Sequence, residues 1–580
     1  MHMDQEASLR AEHAPPAAAA NASPQPTASS PPQAMPVDVR QAFEDARALG
    51  TASAWKAFLK AVPEGFYADL AKAYLERLEV PGTTAPVAAA AAPAPQPAPP
   101  PAPAAAPAPA LIQGATPTSA PSARTPAILR GAQFLGFPEQ FNRYYTDPTW
   151  RPRQTLFVSA DGSGDGSSRE APMAVASAFA AAKPGTLIKF SRGSYRMCTE
   201  LTKEQSGTYD DPVVLYGERN ADGSLGVAVT CCDTGRKSCI NLEGASYVAV
   251  DGFELIGGSY GVRSVGTGYA VGDHARGLAV LSSRGHDQER DPFLTNQVDW
   301  SVWEDNIASG AKKGDGHGFY LNGDWSLVRR NETFGNASSD FQINADPASA
   351  CEAEGIPYDD PRCDAYAGEP GGGQGASDYF LIEDNYFHHG TQGANFTSVR
   401  RSLIRNNIFG LHTPKHNVSF WQETDNPKLG SRENKILHNL FVTTGRPGVQ
   451  FQGSSTANTF ADNVLIGVKV DGGSLAANPS AVLMEVDDST SDNIYRANVY
   501  ISGRIDGRSP NAEEKVVSEL SPAWFSHFPL ALNHVANDFG PAPGSPVLDM
   551  GDVSPDAPVD RNGVARQGKV AAGPIEGGSN

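Results

Sequence analysis

Nowhere in the 580 residues is there a run of eighteen apolar side chains, so no segment has the length and character of a membrane-spanning helix. Basic residues are in the minority. Lys and Arg total 46 against 65 Asp and Glu, and a formal net charge of −19 argues against a general binder of nucleic acid or membrane surfaces. A polyanionic partner must therefore be met by a local basic patch. Cysteine is sparse, with six residues (Cys198, Cys231, Cys232, Cys239, Cys351 and Cys363), and no CxxC pair or matching histidine spacing supports a zinc site. The even count suits disulfides made in an oxidising compartment, and Cys351 with Cys363 is the expected pair. The opening MHMDQEASLR lacks the basic and apolar regions of an export signal, and MHM reads as a cloning scar. An export signal removed before expression, and a secreted or periplasmic protein, are the expectation.

Between Pro81 and Ala123 there is no charged residue at all, and Ala and Pro dominate. Residues 81–125 therefore read as a stiff tether which, in polyproline II form, reaches on the order of 100 Å. Residues 1–36, rich in Ala, Pro and Ser, have too few apolar groups to fold. Residues 37–80 differ. Val39, Phe43, Ala46 and Leu49, then Trp55, Phe58, Leu59 and Val62, then Phe66, Leu70, Tyr74 and Leu78 follow helical spacing, which predicts a module of two or three short helices. It resembles the tetratricopeptide-like segments that precede other domains, which implies a contact with protein or cell envelope, or a plain folded spacer.

The rest of the chain, 126–580, is organised by one recurring pattern: an apolar pair, a polar residue, an asparagine and another apolar pair. It reads SVWEDNIA, SLVRRNETF, FLIEDNYF, SLIRNNIF, KILHNLFV, NTFADNVLI and NIYRANVYI, with Asn306, Asn331, Asn385, Asn407, Asn439, Asn463 and Asn498 in register. The steps are 25, 54, 22, 32, 24 and 35 residues, and most of the long one is an insertion over 347–377, rich in Cys, Pro and Gly. Seven β-type units of this length must stack to bury their apolar faces. The leucine consensus of other repeats of this period is missing. One asparagine per turn fits a β-solenoid, where it satisfies amides that bend away from the ladder above and below.

The repeat resembles the right-handed parallel β-helix of the pectate-lyase-like superfamily. Residues 155–196 are similar to that family's opening strand, Gly/Asp/Ser turn, Ala-rich capping helix and first rung, and residues 544–577 to its terminal segment. The expected fold is all-β, a right-handed parallel β-helix behind a small helical module and a Pro/Ala-rich linker. The resemblance implies an enzyme acting on a polysaccharide, although the DPHD-like and WIDH-like runs of related families are absent.

Alternation within HGFYLNGD, SDFQINAD, GANFTSV, HNVSFWQE and PGVQFQGS turns Phe319, Leu321, Phe341, Ile343, Ala394, Phe396, Val418, Phe420, Val449 and Phe451 inward. The outward set is Tyr320, Asn322, Gln342, Asn344, Asn395, Thr397, Ser419, Trp421, Gln450 and Gln452. Amides for hydroxyls and flat rings for sugar faces suit a polysaccharide. The turns that lead into these strands hold Lys312, Lys313, His317, His388, His389, His412, Lys415, His416 and Arg446, and five of the chain's twelve histidines are among them. This set predicts a basic rim along one edge of the ladder.

Such a rim suits β-elimination on a uronic-acid polymer, in which a base removes the proton at C5 while a cation neutralises the adjacent carboxylate. The expected base is His416 or Lys415, with His412, His389, His388 and His317 around it and Arg400 or Arg401 neutralising. Lys313 and Arg446 join the outward residues in binding substrate. Asp324, Asp346 and Glu423, with Asp340 nearby, form a column of carboxylates that suits bound calcium or the acid pair of a glycoside hydrolase. A C5-epimerase sharing the carbanion and a non-catalytic carbohydrate-binding solenoid are the remaining readings.

Overall fold

The computed structural model describes residues 52–62, 72, 75, 141–268, 273–344, 376–422, 429–471, 474–526 and 539–577. The segments expected at 1–36 and 81–125, most of the 37–80 module and nearly all of the 347–377 insertion, with Cys351 and Cys363, lie outside them.

Two compact units divide the chain, residues 1–99 and 100–580. In the first, Ala52–Ala61 is a helix that buries Trp55 and Phe58, whose rings meet edge-on at 6.5 Å. The second is a right-handed parallel β-helix. Among the described residues it has three long parallel sheets of 12, 12 and 11 strands, the second extended by one antiparallel strand, Ser474–Ala477. Sheet 1 runs from Gln154–Val158 to Ile494–Arg496, sheet 2 from Gly193–Met197 to Lys515–Val517, and sheet 3 from Glu200–Thr202 to Arg504–Asp506. One coil shows the order: Val302–Glu304 in sheet 1, Ile307–Ser309 in sheet 2, Phe319–Leu321 in sheet 3, then Leu327–Arg329 back in sheet 1.

The corner between sheets 1 and 2 explains the recurring motif. The residue before each asparagine takes a left-handed backbone, from Asp305 (φ 59°) through Asp384 (59°) and Asn406 (56°) to Ala497 (51°). That bend takes the next amide out of the ladder, and the asparagine replaces the lost partner. Asn407 is typical: its Oδ1 accepts from Asn385 N (3.0 Å) and Asn385 Nδ2 (2.9 Å), and its own Nδ2 donates to Ile382 O (2.9 Å). The file is continuous from Asn306 to Asn498. A second, shorter file occupies the corner between sheets 3 and 1. There Ser402 N donates to Asn434 Oδ1, Asn434 N to Asn458 Oδ1 and Asn458 N to Asn493 Oδ1.

All ten residues expected to face inward are buried. Phenylalanine rings follow one another along the coil, with Phe396 and Phe420 5.0 Å apart and Phe420 and Phe451 5.0 Å apart among these ten, and Phe409 and Phe441 of sheet 2 5.2 Å apart. Each such phenylalanine contributes about 1.5–3 kcal/mol by burial. The helix Val175–Ala180 closes the first coil with Ala178 and Phe179. At the other end the Arg508 guanidinium lies 3.9 Å over the Tyr495 ring. Two disulfides, Cys198–Cys232 and Cys231–Cys239, staple the early coils, which accounts for the adjacent cysteines without a metal.

Two outer faces are covered. Phe141, Tyr145 and Trp150 lie on sheet 1, while Phe525, Phe539, Val547 and Ala572 lie on the later strands of sheet 2. The C-terminal segment also straddles the asparagine corner. Arg561 Nη1 donates to the carbonyls of Asn385 (2.9 Å) and Asn406 (3.4 Å), Asn406 Nδ2 donates to Val559 O, and Gly573 N donates to Asp462 O.

Candidate functional site

No such apolar cover lies on the outer face of sheet 3 among the described residues, and that face carries the amides and rings singled out above. Register places Leu294, Tyr320, Gln342, Asn395, Ser419, Gln450 and Glu485 in one outward file. Asn344, Thr397 and Trp421 form the file beside it. Successive members stand about 4.8 Å apart, the spacing of hydrogen-bonded strands. Tyr320, Asn344, Asn395, Trp421, Gln450 and Gln452 are partly exposed, whereas Asn322, Gln342, Thr397 and Ser419 are buried by their neighbours. Asn344 Nδ2 donates to Tyr320 Oη (2.9 Å), Asn322 Nδ2 to Asn344 O (2.6 Å) and Gln452 Nε2 to Ser419 Oγ (3.2 Å). These bonds hold the side chains flat against the sheet and leave a shallow polar track.

His416 stands at the edge of this track, in the turn that enters Val418–Trp421, with its peptide oxygen accepting from Gly393 N (3.1 Å). Its Nε2 is buried and has no hydrogen-bond partner among the described residues. Burial, then the charges of Lys415 and His412, push the imidazole down to about 3, so it is neutral at physiological pH. Lys415 beside it is exposed, as is Arg446 on the turn entering the next strand. Three strands earlier His317 occupies a similar position. Its Nδ1 lies 3.0 Å from Asp291 Oδ1 and its ring 5.0 Å from that of Tyr320. Lys313, at the same turn, is exposed and faces Glu289 at 3.6 Å.

The rest of the expected rim is dispersed. His388 belongs to the outer face of sheet 2, stacked on Tyr386 at 4.0 Å and Phe334 at 5.1 Å, with Nε2 3.0 Å from Glu332 and Nδ1 2.7 Å from His389. His388 and His389 therefore do not line the sheet 3 track. His412 is wholly buried between Asp340 and Asn417 (both 2.9 Å). Arg400 is 1% exposed and forms a fork with Asp378, Nε at 3.1 Å and Nη2 at 2.6 Å, in the corner between sheets 3 and 1. It cannot reach a substrate carboxylate. Arg401 shares Asp378 and Glu433.

The carboxylate column also differs from expectation. Asp324 is 1% exposed and its Oδ1 accepts from Asp378 N (2.7 Å), part of a corner file in which Asp324 N in turn donates to Asp299 Oδ1. That geometry does not fit a calcium ligand on the track. Asp340 is fully buried, and Asp346 and Glu423 lie outside the described residues. No cluster of three or more His, Cys, Asp or Glu fit to hold a metal occurs among the described residues.

The spacing missed Asp291 and Asn417, which hold His317 and His412, and Asn336, which holds Asp340. Asp291 was within reach, since it precedes His317 by 26 residues, close to one coil.

The fold is thus of the kind that the resemblance to the pectate-lyase-like superfamily implied. No protein-family model matches the chain, and no curated protein sequence matches it. Among solved structures it is similar to pectate lyase Pel9A, at 13% identity and TM-score 0.46 over 74% of this chain and 98% of that one. It is similar to the A-module of the mannuronan C-5 epimerase AlgE6 of Azotobacter vinelandii at 14% identity, TM-score 0.40, over 60% and 92%. An alginate lyase of Paenibacillus sp. str. FPU-7 gives 11% identity and TM-score 0.34 over 63% and 99%. At these values no side chain or activity of theirs carries over to this chain.

Proposed function

We propose that this chain is a secreted or periplasmic polysaccharide lyase that cleaves a uronic-acid-containing polymer by β-elimination along the outer face of sheet 3. The observation that carries this reading is His416: a neutral imidazole with an unpartnered Nε2, set between a track of amides and rings and two exposed cations.

The substrate lies along the coil axis, with Tyr320 and Trp421 against sugar faces and Asn344, Asn395 and Gln450 bonded to hydroxyls. Lys415 or Arg446 meets the carboxylate beside C5, a role Arg400 is too buried to fill. Neutralising that carboxylate lets charge build on it as the C5 proton leaves. His416 takes the proton. An imidazole held near 3 in the free protein is a weak base, and an anionic substrate beside it raises that value towards the working range. The bond from C4 to the bridging oxygen then breaks with its electron pair going to that oxygen, which takes a proton from water, and leaves a C4–C5 double bond. Two disulfides in the early coils support an oxidising compartment. Calcium in place of a side-chain cation, and contacts of residues 37–80 with the cell envelope, belong to the same proposal.

The test is ultraviolet absorbance of the unsaturated uronate while the protein is offered a panel of acidic polysaccharides, with and without a chelator. A rise that His416→Ala abolishes establishes elimination through this base. New reducing ends without the absorbance move the activity to hydrolysis by Asp346 and Glu423, and binding without either product makes the chain a carbohydrate-binding solenoid.

A further inference from the structure

His412 and Asp340 are both fully buried and lie two coils apart, yet His412 Nε2 is 2.9 Å from Asp340 Oδ2. The intervening coil makes room with two glycines. A Cβ on Gly390 would stand 2.6 Å from Asp340 Oδ1, and one on Gly393 would stand 2.8 Å from His412 Cε1. The far ends of the pair are fixed too. Asn336 Nδ2 donates to Asp340 Oδ1 at 2.7 Å, and His412 Nδ1 lies 2.9 Å from Asn417 Oδ1.

These bonds settle the proton count. Asn417 Nδ2 donates to Val442 O at 3.0 Å, so its Oδ1 faces His412, and His412 Nδ1 must carry a proton to bond it. One further proton lies between Nε2 and Asp340, on either atom. Burial pushes the Asp340 carboxyl upward, against the pull of His412 and Asn336, so the pair keeps that proton inside the protein.

We propose that Asp340 and His412 are a positioning pair for His416, holding its backbone in place through Asn417 and Gly393. The inference rests on the reading of His416 as the base. Asn417, tied to His412, is the next residue after His416, and Gly393, packed on the His412 ring, bonds the His416 peptide oxygen.

Ring-nitrogen NMR of histidines in the full chain, followed from pH 8 to pH 4, tests this in wild type and in Asp340→Asn. In wild type, His412 Nδ1 should stay protonated throughout. In the variant, the His416 ring-nitrogen shifts at pH 7 should move away from their wild-type values, and kcat at pH 7 should fall about tenfold with KM unchanged. His416 shifts and kcat both as in wild type overturn the inference. Should Asp340→Asn fail to fold, wild type still decides: a His412 Nδ1 without a proton at pH 8 overturns the pair. Absence of turnover in wild type would sink the proposed function, while the NMR result would stand by itself.

Discussion

The Arg329 guanidinium lies between carboxylates from the coils on either side, with Nε 2.8 Å from Glu304 and Nη1 3.3 Å from Glu383. Tyr145 closes the group by donating to Glu304 Oε2 at 2.6 Å and accepting from Arg329 Nη2 at 3.2 Å. Arg329 is wholly buried and the two acids nearly so. Arg329→Ala takes one cation from each of two buried carboxylates, leaving Glu304 to Arg330 and Glu383 to Arg405, which costs about 2–4 kcal/mol in lost charge-assisted hydrogen bonds. Chemical denaturation should show that loss, whereas the exposed Arg446→Ala should stay within about 0.5 kcal/mol of wild type.

Asn407→Ala removes an acceptor for two donors of Asn385 and a donor for the Ile382 carbonyl, all of them buried. The expected cost is about 2–4 kcal/mol, since buried groups left without partners lose their full desolvation penalty. Asn407→Asp keeps the acceptor but turns a buried carboxylate oxygen on the Ile382 and Asn439 oxygens, so its denaturation midpoint should recover towards wild type as pH falls and the carboxyl takes a proton.

The His416 imidazole is held near 3 in the fold, against about 6.5 in an unfolded chain. Between those values the unfolded chain binds a proton that the folded one refuses. Its share of stability is therefore intact above about pH 6.5 and lost as pH falls towards 3. His416→Gln lacks this loss. In urea melts between pH 7 and pH 4.5, the difference between variant and wild type should move in the variant's favour by up to about 1.4 kcal/mol per pH unit.

On a uronate polymer that the protein cleaves, His416→Ala should lower kcat by about 10²- to 10⁴-fold, the usual contribution of a positioned base. Trp421→Ala should act mainly by raising KM, whereas a fall in kcat on Lys415→Ala or on Arg446→Ala identifies which of the two cations meets the carboxylate. Arg400→Ala should show a lowered denaturation midpoint, because it strips the buried Asp378 of its fork. Initial rates paired with melts of the same samples separate the two kinds of effect.

The coil was legible because its signals are local and repeated. A left-handed residue before each asparagine imposes the motif, and alternation through Phe319, Phe341, Phe396, Phe420 and Phe451 marks the core. The track on sheet 3 follows from the same alternation. The corners before sheet 3 were not legible, since spacing counts coils without saying which side of a bend a side chain takes. His388 ends a strand of sheet 2 and stays on that sheet's outer face. His412 turns inward through a gap that Gly390 and Gly393 make, 22 and 19 residues away in sequence. Arg400 sits in a two-residue strand paired with Ser377–Asp378, too short for any periodic signal.

Mechanical load would meet the chain unevenly. Apart from the His412–Asp340 bond across two coils, the ladder joins each coil to its neighbours, so tension on one end ought to peel the stack in small, nearly equal lengths. Arg561 and Gly573, however, fasten the tail to coils far from the end of the stack, at Asn385, Asn406 and Asp462. Pulling from the C-terminus must first tear away that lashing, whereas pulling from the start of the coil leaves it for late in the trace, so the two directions should give force records of different shape.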